Sequence, residues 1–352
     1  ADISVAGPVR IYGGALALNA NLTTTNATTG DVWLSGSSVN GAYNLALANG
    51  RVLTVNASGS SALTGVVSGT DVVLVKQGAG ALVLSGANTY TGGVTVSAGT
   101  VNASNNTALG TGGLTLTDGR TLVVGTGVTI LANALTINGT VTFDVQAAAV
   151  TLSGTISGTG GLSMGVAGNG TLTLSGAHTY GGMTTVSQGT LAIGDSGSLN
   201  AGTYASNISL SSGAVFQYAS SAAQTLSGNI SGSGGALLLS GAGTLTLTGT
   251  NSYTGTTTIS AGSLQVGVGG TVGTLGTGAV TNNGTLTINR SDALTISALI
   301  SGSGALVQAG AGTTSLSGAN TYTGGTTISA GTLQIGTGGT AGTGSIVNNA
   351  TL

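Results

Sequence analysis

Short runs of alternating apolar and polar residues, each closed by a glycine, recur from one end of the chain to the other. Leu82-Val83-Leu84, Leu172-Thr173-Leu174 and Leu245-Thr246-Leu247 are representative. Alternation with a period of two predicts extended strands, with Leu on a buried face and Thr or Val on the opposite one. Each of these strands ends at a glycine, Gly86, Gly176, Gly249 or Gly318, shortly before a tyrosine. A second strand then carries Val96, Val186, Ile259 or Ile328, and the chain turns again at Gly99, Gly189, Gly262 or Gly331. A third begins at Val101, Leu191, Leu264 or Leu333. Strand, glycine turn, strand, glycine turn describes a chain that turns a corner every few residues. Glycine is expected there because it takes up positive φ without steric cost.

The pattern is repeated as a whole. Thr89-Tyr90-Thr91-Gly92, Thr179-Tyr180-Gly181-Gly182, Ser252-Tyr253-Thr254-Gly255 and Thr321-Tyr322-Thr323-Gly324 each sit inside a longer matching stretch, the fullest running from Leu316 to Gly336. The lead-ins match too: Val67-Ser68-Gly69, Ile156-Ser157-Gly158, Ile230-Ser231-Gly232 and Ile300-Ser301-Gly302. Self-similarity of this kind predicts a solenoid in which stacked units share one core. Antiparallel hairpins would need Asn-Gly type turns between complementary strands. The recurring corners are instead Ser-Gly and Ala-Gly, and equivalent positions carry matching residues, which favours parallel stacking of like on like. The predicted fold is all-β, a right-handed parallel β-helix: Leu over Leu inside, Asn or Ser laddering at corners, Thr covering the outer faces. At roughly 20–25 residues per coil and ~4.8 Å between strands, about 15 coils would make a rod on the order of 70–80 Å long. Residues 1–66 lack the tyrosine motif but keep the texture, as in Gly13-Gly14-Ala15-Leu16-Ala17-Leu18-Asn19, and are read as atypical coils. Residues 67–352 hold the four repeats.

Composition narrows the function classes. Only 3% of residues are charged and the net charge is −2, with no basic stretch, so no electrostatic footprint for nucleic acid exists. Apolar runs such as Val72-Val73-Leu74-Val75 fall far short of the roughly 20 residues that a membrane-spanning helix needs. Gly, Thr, Ser, Val and Asn favour strands and turns over helices. With no cysteine there are no disulfides or thiolate metal sites, which suits a chain that crosses an envelope unfolded. Ala1-Asp2-Ile3-Ser4-Val5 lacks the charged start of a signal peptide. Ser345–Leu352 repeats Ala279–Leu286, after which the earlier copy continues, so a longer parent protein is expected.

Candidate chemistry is sparse. A β-helix enzyme acting on polysaccharide needs clustered ionisable groups. The twelve charges here are Asp2, Arg10, Asp31, Arg51, Asp71, Lys76, Asp118, Arg120, Asp144, Asp195, Arg290 and Asp292. The close pairs, Asp118 with Arg120 and Arg290 with Asp292, are read as solvated turn pairs. His178 stands where the other copies have Asn88, Asn251 and Asn320, and is read as a replacement for a corner Asn that bonds its turn. Scattered Asp residues do not make a calcium site, and Gly232-Ser233-Gly234-Gly235 lacks the Lys of a phosphate loop. The four repeat tyrosines are expected to cover glycine corners, with each hydroxyl reaching water or a carbonyl. Thr-x-Thr arrays such as Thr244-x-Thr246-x-Thr248 invite an ice-binding reading, but they recur unevenly. No catalytic, cofactor or metal residue is assigned.

The stretch from Leu82 to Val101 and its three counterparts resemble the autotransporter-associated β-strand repeat, close to L-x-L-[ST]-G-x-N-x-Y-T-G-x-T-x-[IV]-S-x-G-x-L. A shorter stretch, Gly7-Pro8-Val9-Arg10-Ile11-Tyr12-Gly13-Gly14-Ala15-Leu16-Ala17-Leu18-Asn19, is similar to coils of filamentous-haemagglutinin-type adhesins. Both resemblances imply a secreted β-helical stalk or adhesin that reaches a bacterial surface through an outer-membrane β-barrel; with the sparse ionisable groups, the reading is a non-enzymatic stalk, adhesin segment or filament subunit. Neither a barrel-forming region nor a secretion signal is read in these residues. The implied partners are glycans, host or cell-surface proteins, and further copies of the chain through open coil ends.

Overall fold

The computed structural model describes residues 2–146, 149–165 and 168–350. Thr351 and Leu352, the last residues of the stretch that repeats Ala279–Leu286, lie outside the described residues, as does Ala1. Among the described residues there is no α-helix; the one helical element is a short 3₁₀ turn, Asn200–Gly202. The chain forms two compact units, Ala1–Leu172 and Thr173–Leu352.

In the first unit the strands stack in columns that wind side by side, the last of them opening with Ile130–Leu131 and Ala149–Leu152. One runs through Ile3–Val5, Leu22–Thr24, Leu45–Ala46 and Val67–Ser68. A second, of eight strands, begins with Val9–Tyr12, Val32–Gly36, Val52–Ala57 and Val73–Gln77 and closes at Ile156–Ser157. A third starts at Ala15–Leu18 and includes Ala81–Leu84, Thr100–Ala103 and Leu162–Met164. In the second unit an eight-stranded stack runs from Thr203–Tyr204 through Thr244–Leu247, Ser263–Val266, Thr285–Ile288 and Ala305–Gln308 to Ile346–Asn348. Beside it stand Thr190–Ile193, Val215–Tyr218, Ala236–Leu239, Thr257–Ile259, Val280–Asn282 and Ile300–Ser301.

The described pairings are parallel, so each unit is a parallel β-solenoid, as the repeated pattern predicts. The register stacks like on like. Leu245 faces Leu264, Leu264 faces Leu286 and Leu286 faces Leu306, all four buried. Hydrogen bonds between successive coils join residues 17 to 26 apart. A coil cannot form alone, because its strands find their backbone partners only in the coils before and after it.

Glycine meets two separate demands at the corners. Gly262 has φ +68°, a left-handed conformation that L side chains rarely adopt, and Gly99, Gly189 and Gly331 share that region. Gly249 does not; there an added Cβ would fall on the carbonyl oxygen of Gly228 in the coil before. Half of the corner rule is therefore close approach between coils, where only positive φ was expected. The expectation that Thr covers the outer faces also needs correction, since Thr184, Thr257, Thr314 and Thr326 are buried.

A stacked aliphatic column fixes an expected outcome. Leu264→Ala should destabilise the fold by about 2–5 kcal/mol in guanidinium denaturation, whereas Thr287→Ala on the outer face should change it by about 0.5 kcal/mol or less. Equal costs would mean the Leu column is not what holds the coils.

Candidate functional site

The repeat tyrosines point into the core. Tyr90, Tyr180, Tyr253 and Tyr322 are all buried, so they form no sugar-stacking stripe. Three of them spend the hydroxyl on an interior threonine four residues on: Tyr180 with Thr184 at 2.9 Å, Tyr253 with Thr257 at 2.7 Å, Tyr322 with Thr326 at 2.7 Å. In the first repeat Val94 stands at the threonine position, and the Tyr90 hydroxyl donates instead to the carbonyl of Ala108 at 3.4 Å. The expectation of water or a carbonyl thus holds only for Tyr90. The Tyr-x-x-x-Thr spacing was a signal of this pairing, and three copies carry it. The rings of Tyr90, Tyr253 and Tyr322 also lie against a glycine of the next coil, Gly110, Gly276 and Gly342 respectively, where a Cβ would collide with them. Burial drives the Tyr90, Tyr180, Tyr253 and Tyr322 phenols upward in pKa, so they stay protonated. Tyr180 has an aromatic neighbour, Tyr204, edge-on at 5.7 Å between ring centroids, and Thr184 bonds both hydroxyls.

In three copies the side chain of the asparagine two residues ahead of the tyrosine bridges three coils, while only the main-chain N–H of Asn88 and Asn320 bonds its own turn. Asn88 accepts the Val67 N–H at 2.8 Å and donates to the Ala108 carbonyl at 2.6 Å. Asn251 joins Ile230 to Thr274 in the same way, and Asn320 joins Ile300 to Thr340. His178 occupies the corresponding place, buried, in a strand that pairs Ala177–His178 with Ser198–Leu199. Burial lowers its pKa to about 4, so the ring is neutral at physiological pH.

Most of the charged groups are spent on the scaffold. Asp118 and Arg120 do not pair through their side chains: Arg120 Nε donates to the Asp118 main-chain carbonyl at 2.9 Å, and Asp118 Oδ1 accepts the Thr140 N–H at 2.7 Å. Arg290 and Asp292 do pair, through two bonds of 2.8 and 2.7 Å, but Arg290 is buried and its Nη1 also reaches the Gly273 carbonyl at 2.5 Å. It is not the solvated pair expected. The Arg290 bonds hold the Asp292 carboxyl below its ordinary pKa. Asp144 Oδ1 accepts the Gln146 N–H, and Asp195 offers its carbonyl to Ser221. Two arrangements escaped the sequence reading. Asp31 and Arg51 meet at 3.5 Å across neighbouring coils. Lys76 sits in a core column between Val55 and Val96, fully buried, with Nζ on the carbonyls of Gln77 and Gly78 at 2.7 Å and of Ala98 at 3.4 Å. Among the described residues no three of His, Cys, Asp and Glu gather as a metal site requires.

Comparison with known proteins gives a family for the repeats. Residues 74–103, 166–193, 237–266 and 306–335 match the Passenger-associated-transport-repeat family. The chain is also 36% identical over 169 residues to an "Adhesin BmaC autotransporter" of Brucella suis biovar 1 (strain 1330). That match takes in 45% of this chain and 5% of the adhesin, so the chain spans a small part of the length of that relative. No solved structure matches. The chain carries autotransporter passenger repeats.

Two outcomes follow from this interior chemistry. Tyr253→Phe and Thr257→Val should each cost about 1–3 kcal/mol by leaving a buried hydroxyl unmet. The double variant should cost clearly less than their sum, and simple additivity would deny the pairing. Burial, with the Arg120 charge as a lesser cause, lowers the Lys76 pKa from 10.5 to about 8. Between those values the unfolded chain holds the extra proton, so stability should rise from pH 8 toward pH 10, where tyrosine ionisation in the unfolded state begins to oppose it. A pH series of denaturation midpoints should show that rise and lose it in Lys76→Gln; an unchanged rise in the variant would assign it elsewhere.

Proposed function

We propose that this chain is a stretch of the secreted passenger of a bacterial surface protein, an adhesive β-helical stalk or filament segment that does no chemistry. The observation that carries the reading is the disposal of ionisable groups. Asp31, Lys76, Asp118 and Arg290 each bond main-chain N–H or carbonyl groups of the corners, and a hydrolase or lyase needs such groups free and convergent. The passenger repeats and the likeness to a protein named as an adhesin support the surface location and the adhesive role. The winding is read as right-handed, because crossovers between parallel strands of one sheet are almost always so. Residues 1–66 are taken as atypical coils leading into the four-repeat stretch 67–352. Contact with other surfaces is assigned to the outer faces of the sheets, dense in hydroxyl and amide groups.

Beads coated with the purified chain should be retained on cultured epithelial cells several-fold above albumin-coated beads. The same preparation should release no reducing ends or unsaturated products from a panel of polysaccharides. Retention no better than albumin would sink the adhesive part, and turnover would sink the non-enzymatic part.

A further inference from the structure

We infer that the outer face of the first coils in the Ala1–Leu172 unit binds a glycan with a carboxylated sugar, the sugar ring lying on Trp33 and its carboxylate on Arg10. This deepens the adhesive reading and rests on it.

The strands Val9–Tyr12, Val32–Gly36 and Val52–Ala57 stack in parallel here, with Arg10 beside Trp33 and Trp33 beside Thr54. The alternate residues Val32 and Leu34 are buried, so Arg10, Tyr12 and Trp33 share the face turned from the core. Tyr12 is 62% exposed. A surface groove of about 300 Å³ opens on this face, lined by Pro8, Arg10, Asp31, Trp33 and Thr54 among others.

The scaffold does not need an indole at this place. Further along the same outward column stand Thr54, Val75, Thr95, Thr115 and Thr136, so small β-branched residues satisfy the stacking. Trp33 is the chain's only tryptophan. Its Nε1–H is shielded from solvent without an acceptor, an arrangement that weakens a fold and calls for another explanation.

Arg10 carries the choice of ligand. Lys76 is committed to corner carbonyls, Arg51 to Asp31 and the Thr28 carbonyl, Arg120 to the Asp118 carbonyl, Arg290 to Asp292. Among the described residues Arg10 is the one basic side chain with no hydrogen-bond or ion-pair partner, and it is exposed. A planar guanidinium accepts a carboxylate in a two-bond fork. Beside an aromatic face suited to the C–H side of a pyranose, and near Asp31, whose Oδ1 takes the Val52 N–H and Arg51 and leaves Oδ2 as an acceptor for sugar hydroxyls, that fork selects an acidic sugar.

Because Trp33 is unique, its fluorescence reads this groove directly. A galacturonic acid trisaccharide should change Trp33 emission saturably, and its uncharged methyl ester should bind about tenfold or more weakly. Arg10→Gln, an exposed change whose fold is checked by circular dichroism, should cost a similar factor. No saturable change at millimolar trisaccharide, equal binding of the ester, or undiminished binding by Arg10→Gln would each overturn the inference. If bead adhesion persists while this binding fails, adhesion belongs to another surface; if both fail, the adhesive reading falls as well.

Discussion

Parallel pairing in register, coil upon coil, is the constraint from which the other features of each unit follow. A strand such as Thr244–Leu247 finds its hydrogen-bond partners in Gln224–Leu226 on one side and Ser263–Val266 on the other. Strand spacing of about 4.8 Å then applies to the corners as well as the sheets. Corners at that distance leave no room for a Cβ wherever one turn lies directly over the next. Gly284, Gly304, Gly324 and Gly344 form such a column, each with its would-be Cβ against the carbonyl of the glycine before. The same register carries Leu over Leu inside, which is why the interior stays dry without any single large hydrophobic cluster.

Polar groups inside the solenoid obey the same geometry. Inward columns end at corners whose carbonyls face the interior, and the last inward residue meets them. Lys76 does so with Nζ, Gln308 with Nε2 on Gly310 and Gly312 at 2.7 and 3.2 Å, and Tyr218 with its hydroxyl on Ala222 at 2.5 Å. Three chemically different side chains thus close the same kind of corner, because each brings a donor to the end of an apolar stem. The Tyr–Thr pairs and the bridging Asn residues extend this principle, each satisfying groups that water cannot reach.

A surface so poor in charge has little means of steering ligands from a distance. Recognition on such a face depends on shape and on a few placed groups. The opening coils hold Trp33, Arg10 and Tyr12 within stacked strands and the Asp31–Arg51 pair just ahead of two of them, while the corresponding column beyond is Thr and Val. Scaffold and candidate contact surface therefore occupy the same coils and differ only in which face of the strand is considered.

Much of this was legible in the residues alone. Period-two alternation, glycine punctuation and repeated lead-ins determined the strands, the like-on-like stacking and the solenoid, because these are local patterns that a parallel register simply copies. Tyr180, Tyr253 and Tyr322 were legible as a motif but not as buried, since neighbouring glycines suggest a surface turn until the next coil is laid over them. Tertiary structure alone decided the rest. Asp31 meets Arg51 across a coil, Lys76 falls on an inward column, Asn88 bonds the coils before and after it, and Arg10 comes to stand beside Trp33. Each of these depends on the register between residues some twenty positions apart, which the spacing of a single repeat does not contain.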